Sequence, residues 1–79
     1  MTKIELISKI ENGNDIMFTV IGKHYTILTW PDEGIAIGEQ NSYDKPAYFD
    51  TPENLVNQFT IDGRSLGDLA SKVIITQYT

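Results

Sequence analysis

The stretch Asp15 to Trp30, DIMFTVIGKHYTILTW, constrains the fold more than any other, because apolar side chains alternate through it on both sides of a single glycine. Successive residues of a strand face opposite sides of a sheet. One face therefore collects Ile16, Phe18, Val20, Tyr25 and Ile27 and must be buried. The other carries Met17, Thr19, Ile21, His24, Thr26, Leu28 and Trp30. The turn between the strands takes either Gly22-Lys23 or Ile21-Gly22 as its central pair. The two registers differ by two residues, so the facing assignment is the same in both. Thr19 and Thr26 give the second face a centre that suits water. Met17, Ile21, Leu28 and Trp30 do not, and together they make a candidate interaction surface.

Helical and turn signals flank the hairpin. Thr2-Lys3-Ile4-Glu5 has the form of a capping box, followed by Ile4, Leu6, Ile7 and Ile10 at helical spacing, so a helix is expected over about Lys3 to Asn12. Gly13 then stands where a left-handed C-cap belongs. Pro31-Asp32-Glu33-Gly34 reads as a turn into a third strand, Ile35 to Glu39, whose other face is left bare by Ala36 and Gly38. Gln40 to Ala47 reads as a loop, with a brief extended piece at Tyr48 and Phe49, and Tyr43 is expected to pin that loop to the sheet.

Asp50-Thr51-Pro52-Glu53 is a helix start, with Leu55, Val56 and Phe59 on the buried side. Asp62-Gly63 marks a turn. Leu66, Leu69, Ala70 and Val73 follow Ser65 at i, i+3, i+4, i+7, which predicts a further helix from Leu66 to about Lys72. The closing VIITQY is β-rich and should pair with the meander. The expected fold is α+β: a small antiparallel sheet, meander plus C-terminal strand, packed with an N-terminal helix and two short helices in the order αβββααβ.

Seventy-nine residues suit one domain, 1–79, with a modest core. The absence of cysteine removes disulfide and thiolate-metal frames, and no signal-peptide pattern or long apolar run is present, so a cytoplasmic location and no membrane contact are expected. Charge is uneven. Residues 1–31 balance three lysines against three carboxylates, whereas residues 32–68 set Lys45 and Arg64 against Asp32, Glu33, Glu39, Asp44, Asp50, Glu53, Asp62 and Asp68, a net −6. Direct nucleic-acid binding is disfavoured, because it needs clustered cations. A basic protein partner is permitted.

Chemistry-bearing motifs are few. His24 is the one histidine and has no second His, Cys or adjacent acid, so it reads as an exposed strand residue. Ser8, Ser42, Ser65 and Ser71 lie outside any G-x-S-x-G or S-x-x-K setting, and no phosphate-cradling or calcium loop occurs. No catalytic, cofactor-binding or metal-ligating residue is assigned, and no cofactor is expected.

The run Tyr48 to Leu69, YFDTPENLVNQFTIDGRSLGDL, joins an aromatic, a T-P-E helix start, a leucine-rich turn and I-D-G-R-S-L before an acidic helix. In this it resembles small uncharacterised proteins of Gram-positive bacteria and of their phages and mobile elements. The resemblance implies a fold unit and carries no activity or site residues. Arg64 within it has a structural setting, with Gly63 turning the chain and Leu66 anchoring it.

Three functional expectations follow. The first is a non-catalytic protein-interaction module, binding either a second copy of itself or another protein through Met17, Ile21, Leu28 and Trp30, provided that helices or the Gln40 to Asp50 loop do not cover that face. The second is an acidic inhibitor or nucleic-acid mimic of a phage or mobile element, which needs the eight carboxylates of residues 32–68 to form one continuous surface. The third is an enzyme with an unrecognised carboxylate site, which needs a concave pocket holding at least two acids or His24, with raised pKa.

Overall fold

Thr2 starts the first regular element. In the computed structural model, which describes residues 1–79, its hydroxyl accepts from the Glu5 N–H at 3.1 Å, and the Glu5 carboxylate accepts from the Thr2 N–H at 3.0 Å. This capping box begins α1 (Lys3–Asn12), which buries Leu6 and Ile10. The bond from the Thr2 backbone N–H holds the Glu5 carboxyl below its ordinary pKa. Such a group adds stability that is fully present above its unfolded pKa and is lost as pH falls through the lowered folded value. Glu5→Gln is therefore expected to flatten the acid side of a plot of melting temperature against pH and leave the neutral region nearly level.

Gly13 leaves the helix with φ −104° and ψ 157°, not in the left-handed form expected from its position. The chain runs straight into a strand there, and the reason for glycine is space. A Cβ at 13 would stand 2.9 Å from the Tyr78 ring and 3.0 Å from the Lys9 carbonyl oxygen.

The hairpin forms as β1 (Asp15–Val20) and β2 (Lys23–Trp30), with Phe18 opposite Tyr25 and Val20 opposite Lys23. Ile21 and Gly22 are thus the central turn residues, at φ +44° and +78°. Positive φ at both positions is the type I′ pattern that favours Asn-Gly, and a β-branched residue there is strained. Ile21→Asn is expected to raise stability by about 1 kcal/mol, read as a higher urea midpoint with an unchanged slope.

β3 (Gly34–Glu39) pairs with β2, and β4 (Ala47–Phe49) pairs with β3, so the brief extended piece at Tyr48 and Phe49 is a true edge strand. Thr51 then caps α2 (Pro52–Gln58), its hydroxyl accepting from Asn54 N–H at 3.1 Å. A two-residue pair, β5 (Thr60–Ile61) and β6 (Arg64–Ser65), closes around Asp62 and Gly63, both at positive φ. These two strands were not foreseen.

The helix expected over Leu66 to Lys72 does not form. The chain there makes successive turns ending in a 3₁₀ turn at Ala70–Lys72. Its N–H groups are drawn sideways and backward: Leu66 N donates to Phe59 O and Gly67 N to Val56 O, both at 2.8 Å, while Ala70 N, Lys72 N and Val73 N reach back only three residues. Leu66, Leu69, Ala70 and Val73 are nonetheless buried as a set.

β7 (Ile74–Tyr78) lies on the free edge of β1, giving one antiparallel five-stranded sheet in the order β4-β3-β2-β1-β7. A register shift between Met17 and Phe18 leaves Thr76 as the extra residue of β7, and its hydroxyl donates to the Met17 carbonyl at 3.2 Å. Such a bulge twists an exposed edge and makes it a poorer template for another strand. The molecule is a small α+β domain, and none of its helices is long and apolar enough to cross a membrane.

The core lies on one side of the sheet. Ile16, Phe18, Val20, Tyr25, Ile27, Ile35 and Ile37 meet Leu6, Ile10, Leu55, Val56, Leu66 and Leu69 there. A chain of rings runs through it: Phe18 stacks on Tyr25 at 5.5 Å, Tyr25 meets Phe59 edge-on at 5.7 Å, and Phe59 meets Phe49 at 6.5 Å. Burial pushes the Tyr25 phenol above its ordinary pKa.

Candidate interaction surface

Both helices and the turns after β6 pack on the core side, and the Gln40–Pro46 loop borders the opposite face of the sheet; Trp30, at the strand end, also borders a hollow with Ile10 and Glu11 of α1 and Pro52 of α2. Strand register lays out that outer face in rows. Ile74, Thr19 and His24 form one row, and Gln77, Met17, Thr26 and Gly38 the next. Asp15, Leu28, Ala36 and Tyr48 form a third, and Trp30 lies beyond them opposite Gly34. Trp30 is 48% exposed and Tyr48 52%, values that leave both rings available to a partner.

Of the four residues picked out from the sequence, Met17, Leu28 and Trp30 share this face. Ile21 does not belong with them. It sits in the turn at the tip of the hairpin, about 20 Å of strand from Trp30. Its alternation placed it on the outer face only if the strand continued through it, and the turn begins there instead.

The small residues of β3 shape the face. Gly34, Ala36 and Gly38 present nothing larger than a methyl group outward, so β3 is the floor of a cleft of about 290 Å³. Leu28, Thr26 and Trp30 of β2 form one wall, with Tyr48 and Pro46 forming the other. The walls are two strand spacings apart, about 10 Å. Pro46 sits over Gly38, where a Cβ would stand 3.5 Å from its own Cβ. The loop that carries Pro46 is tied back by Gln40, whose N–H donates to the His24 carbonyl at 2.8 Å and whose amide donates to the Tyr25 carbonyl at 3.3 Å.

Glu39 and Asp44 stand at the loop end of this cleft. Both are exposed, and neither is ion-paired; the chain's one salt bridge joins Lys23 to Asp62 at 3.0 Å. That bridge raises the Lys23 pKa. His24 is exposed on the outer face but does not line the cleft. No three His, Asp or Glu side chains are grouped to hold a metal ion.

The eight carboxylates of residues 32–68 do not form one surface. Asp32 and Glu33 precede β3 and Asp50 and Glu53 adjoin α2 at that same end, whereas Glu39, Asp44 and Asp62 lie at the other end, about 17 Å along the strand. Asp68 lies in the turn that follows Ser65, its N–H donating to the Ser65 hydroxyl at 3.1 Å. The continuous acidic surface required of a nucleic-acid mimic is absent because turns at both ends of the sheet, and not one face, are where the chain places its acids.

Two residues of this region were missed or misjudged from the sequence. Tyr48 was not recognised as a surface residue; the signal was the bare Gly34, Ala36, Gly38 stripe, which needs a neighbouring wall. Tyr43, expected to pin its loop to the sheet, is fully exposed at 106% and packs on nothing.

No family model, no curated protein and no solved structure matches this chain.

Proposed function

We propose that this chain is a non-catalytic protein-interaction module that engages its partner across the outer face of the sheet, with Trp30 as the main anchor. The observation that carries the reading is the cleft on the face away from the core: Leu28, Trp30 and Tyr48 line it, with Ala36 buried at its floor. Contiguous apolar surface of this kind on a small domain marks an interaction site, and tryptophan and tyrosine are the residues most enriched among binding hot spots. The exposed carboxylates at its rim favour a partner carrying positive charge.

The test is recovery of a co-purifying protein with tagged wild type, Trp30→Ala, Leu28→Asp and a control, Ile4→Asp, on the exposed side of α1. Wild type and the Ile4 variant are expected to recover the same protein, and the two outer-face variants to lose it while melting cooperatively. Recovery undiminished by both outer-face changes would sink the reading.

A further inference from the structure

We propose that the cleft over β3 takes an extended, proline-containing peptide whose lysine or arginine meets Glu39 and Asp44. This rests on the interaction-module reading above and names the partner's chemistry.

The floor decides the first part. β3 is paired on both sides, to β2 and to β4, so its backbone groups are engaged and cannot form a ladder with an incoming strand. Strand addition is therefore closed to an occupant of this face. Two donors border the cleft, the indole N–H of Trp30 and the hydroxyl of Tyr48, and neither is used in the chain's own side-chain hydrogen bonds. The Thr26 hydroxyl is a third free donor on the lining, whereas the Gln40 NH2 is already given to the Tyr25 carbonyl. The fitting ligand is thus rich in free carbonyls and poor in N–H groups, which describes a proline-rich segment.

Shape and charge agree with this. Aromatic-walled grooves bind polyproline II helices by packing rings between the ridges of the ligand. The run from Trp30 to Glu39 follows the length of β3, about 17 Å, and takes five to six residues at about 3.1 Å each. Apolar contacts with Trp30, Leu28, Tyr48 and Pro46 occupy most of that length. Glu39 and Asp44 close one end and neither is held in a salt bridge, Lys45 bordering the hollow on their other side, so the basic residue of the ligand lies there and sets its direction.

The test uses ¹⁵N-labelled full chain titrated with a short oligoproline peptide ending in arginine, the same peptide ending in glutamate, and a basic glycine-serine peptide of equal length. The expected result is that the first peptide shifts the Trp30 indole, Ala36 and Gly38 resonances. Exchanging its arginine for glutamate, or Glu39→Gln with Asp44→Asn in the protein, should weaken binding roughly fivefold, and Trp30→Ala roughly thirtyfold.

Absence of shifts up to roughly 1 mM peptide, equal binding of the glycine-serine peptide, or the same shifts on concentrating the protein alone would each overturn the proposal, the last by making a second copy the occupant. If the peptide fails while partner recovery keeps its dependence on Trp30, the peptide class is wrong and the interaction face stands. If that dependence fails too, the reading beneath it falls as well.

Discussion

Phe18→Ala is expected to remove about 4 kcal/mol of folding stability, which approaches the whole of it for a domain of this size. Phe18 is 1% exposed and stacks on Tyr25, the second ring of the chain that links β1, β2, the end of α2 and β4. Its loss opens a cavity that neighbours on three elements cannot fill together. Trp30→Ala, on the open side of the same sheet, should cost no more than about 1 kcal/mol. Urea unfolding of the two variants against wild type checks both values. Comparable losses would mean that Trp30 belongs to the core.

Gly34→Ala is the second substitution with a large expected effect, about 3 kcal/mol. Gly34 has φ +92°, which alanine adopts at a cost, and its missing side chain makes room for β4. A Cβ there would stand 2.7 Å from the Phe49 carbonyl oxygen, a backbone atom that moves only if β4 moves. Since β4 carries Tyr48, the wall of the cleft shifts with it. The variant should therefore show a lowered melting temperature together with altered Tyr48 and Ala36 resonances. An alanine tolerated without either change would contradict the close approach of β4 to the turn.

The parts of this fold that were legible in the sequence are those decided locally. The capping box needs only Thr2 and Glu5, and the hairpin faces follow from period two through Ile16, Phe18 and Val20 whichever turn register is chosen. The buried side of residues 66–73 was legible for the same reason, since Leu66, Leu69, Ala70 and Val73 turn inward in any tightly wound backbone. Helical winding itself was not, because hydrogen bonds from Leu66 and Gly67 to α2 and its end compete with the helical ones, and those partners are distant in sequence.

The candidate site divides in the same way. Met17, Leu28 and Trp30 shared a face by alternation alone. Ile21 was lost from it because the choice of turn register, neutral for the strands, decides whether that residue is strand or turn. Whether the face is covered depends on which side both helices take, and Tyr48 joins it only once β4 has docked on β3. None of that is written in a local pattern.

The central claim is that the outer face is open and is where a partner lies. It is tested most directly by placing a photo-activatable phenylalanine analogue at Tyr48 and, as a control, at Ile4 on α1, in cells of the source organism. The expected result is a discrete protein adduct from position 48 that disappears with Trp30→Ala, and none from position 4. An adduct from position 4 alone, or one from position 48 that persists without the Trp30 ring, would contradict it.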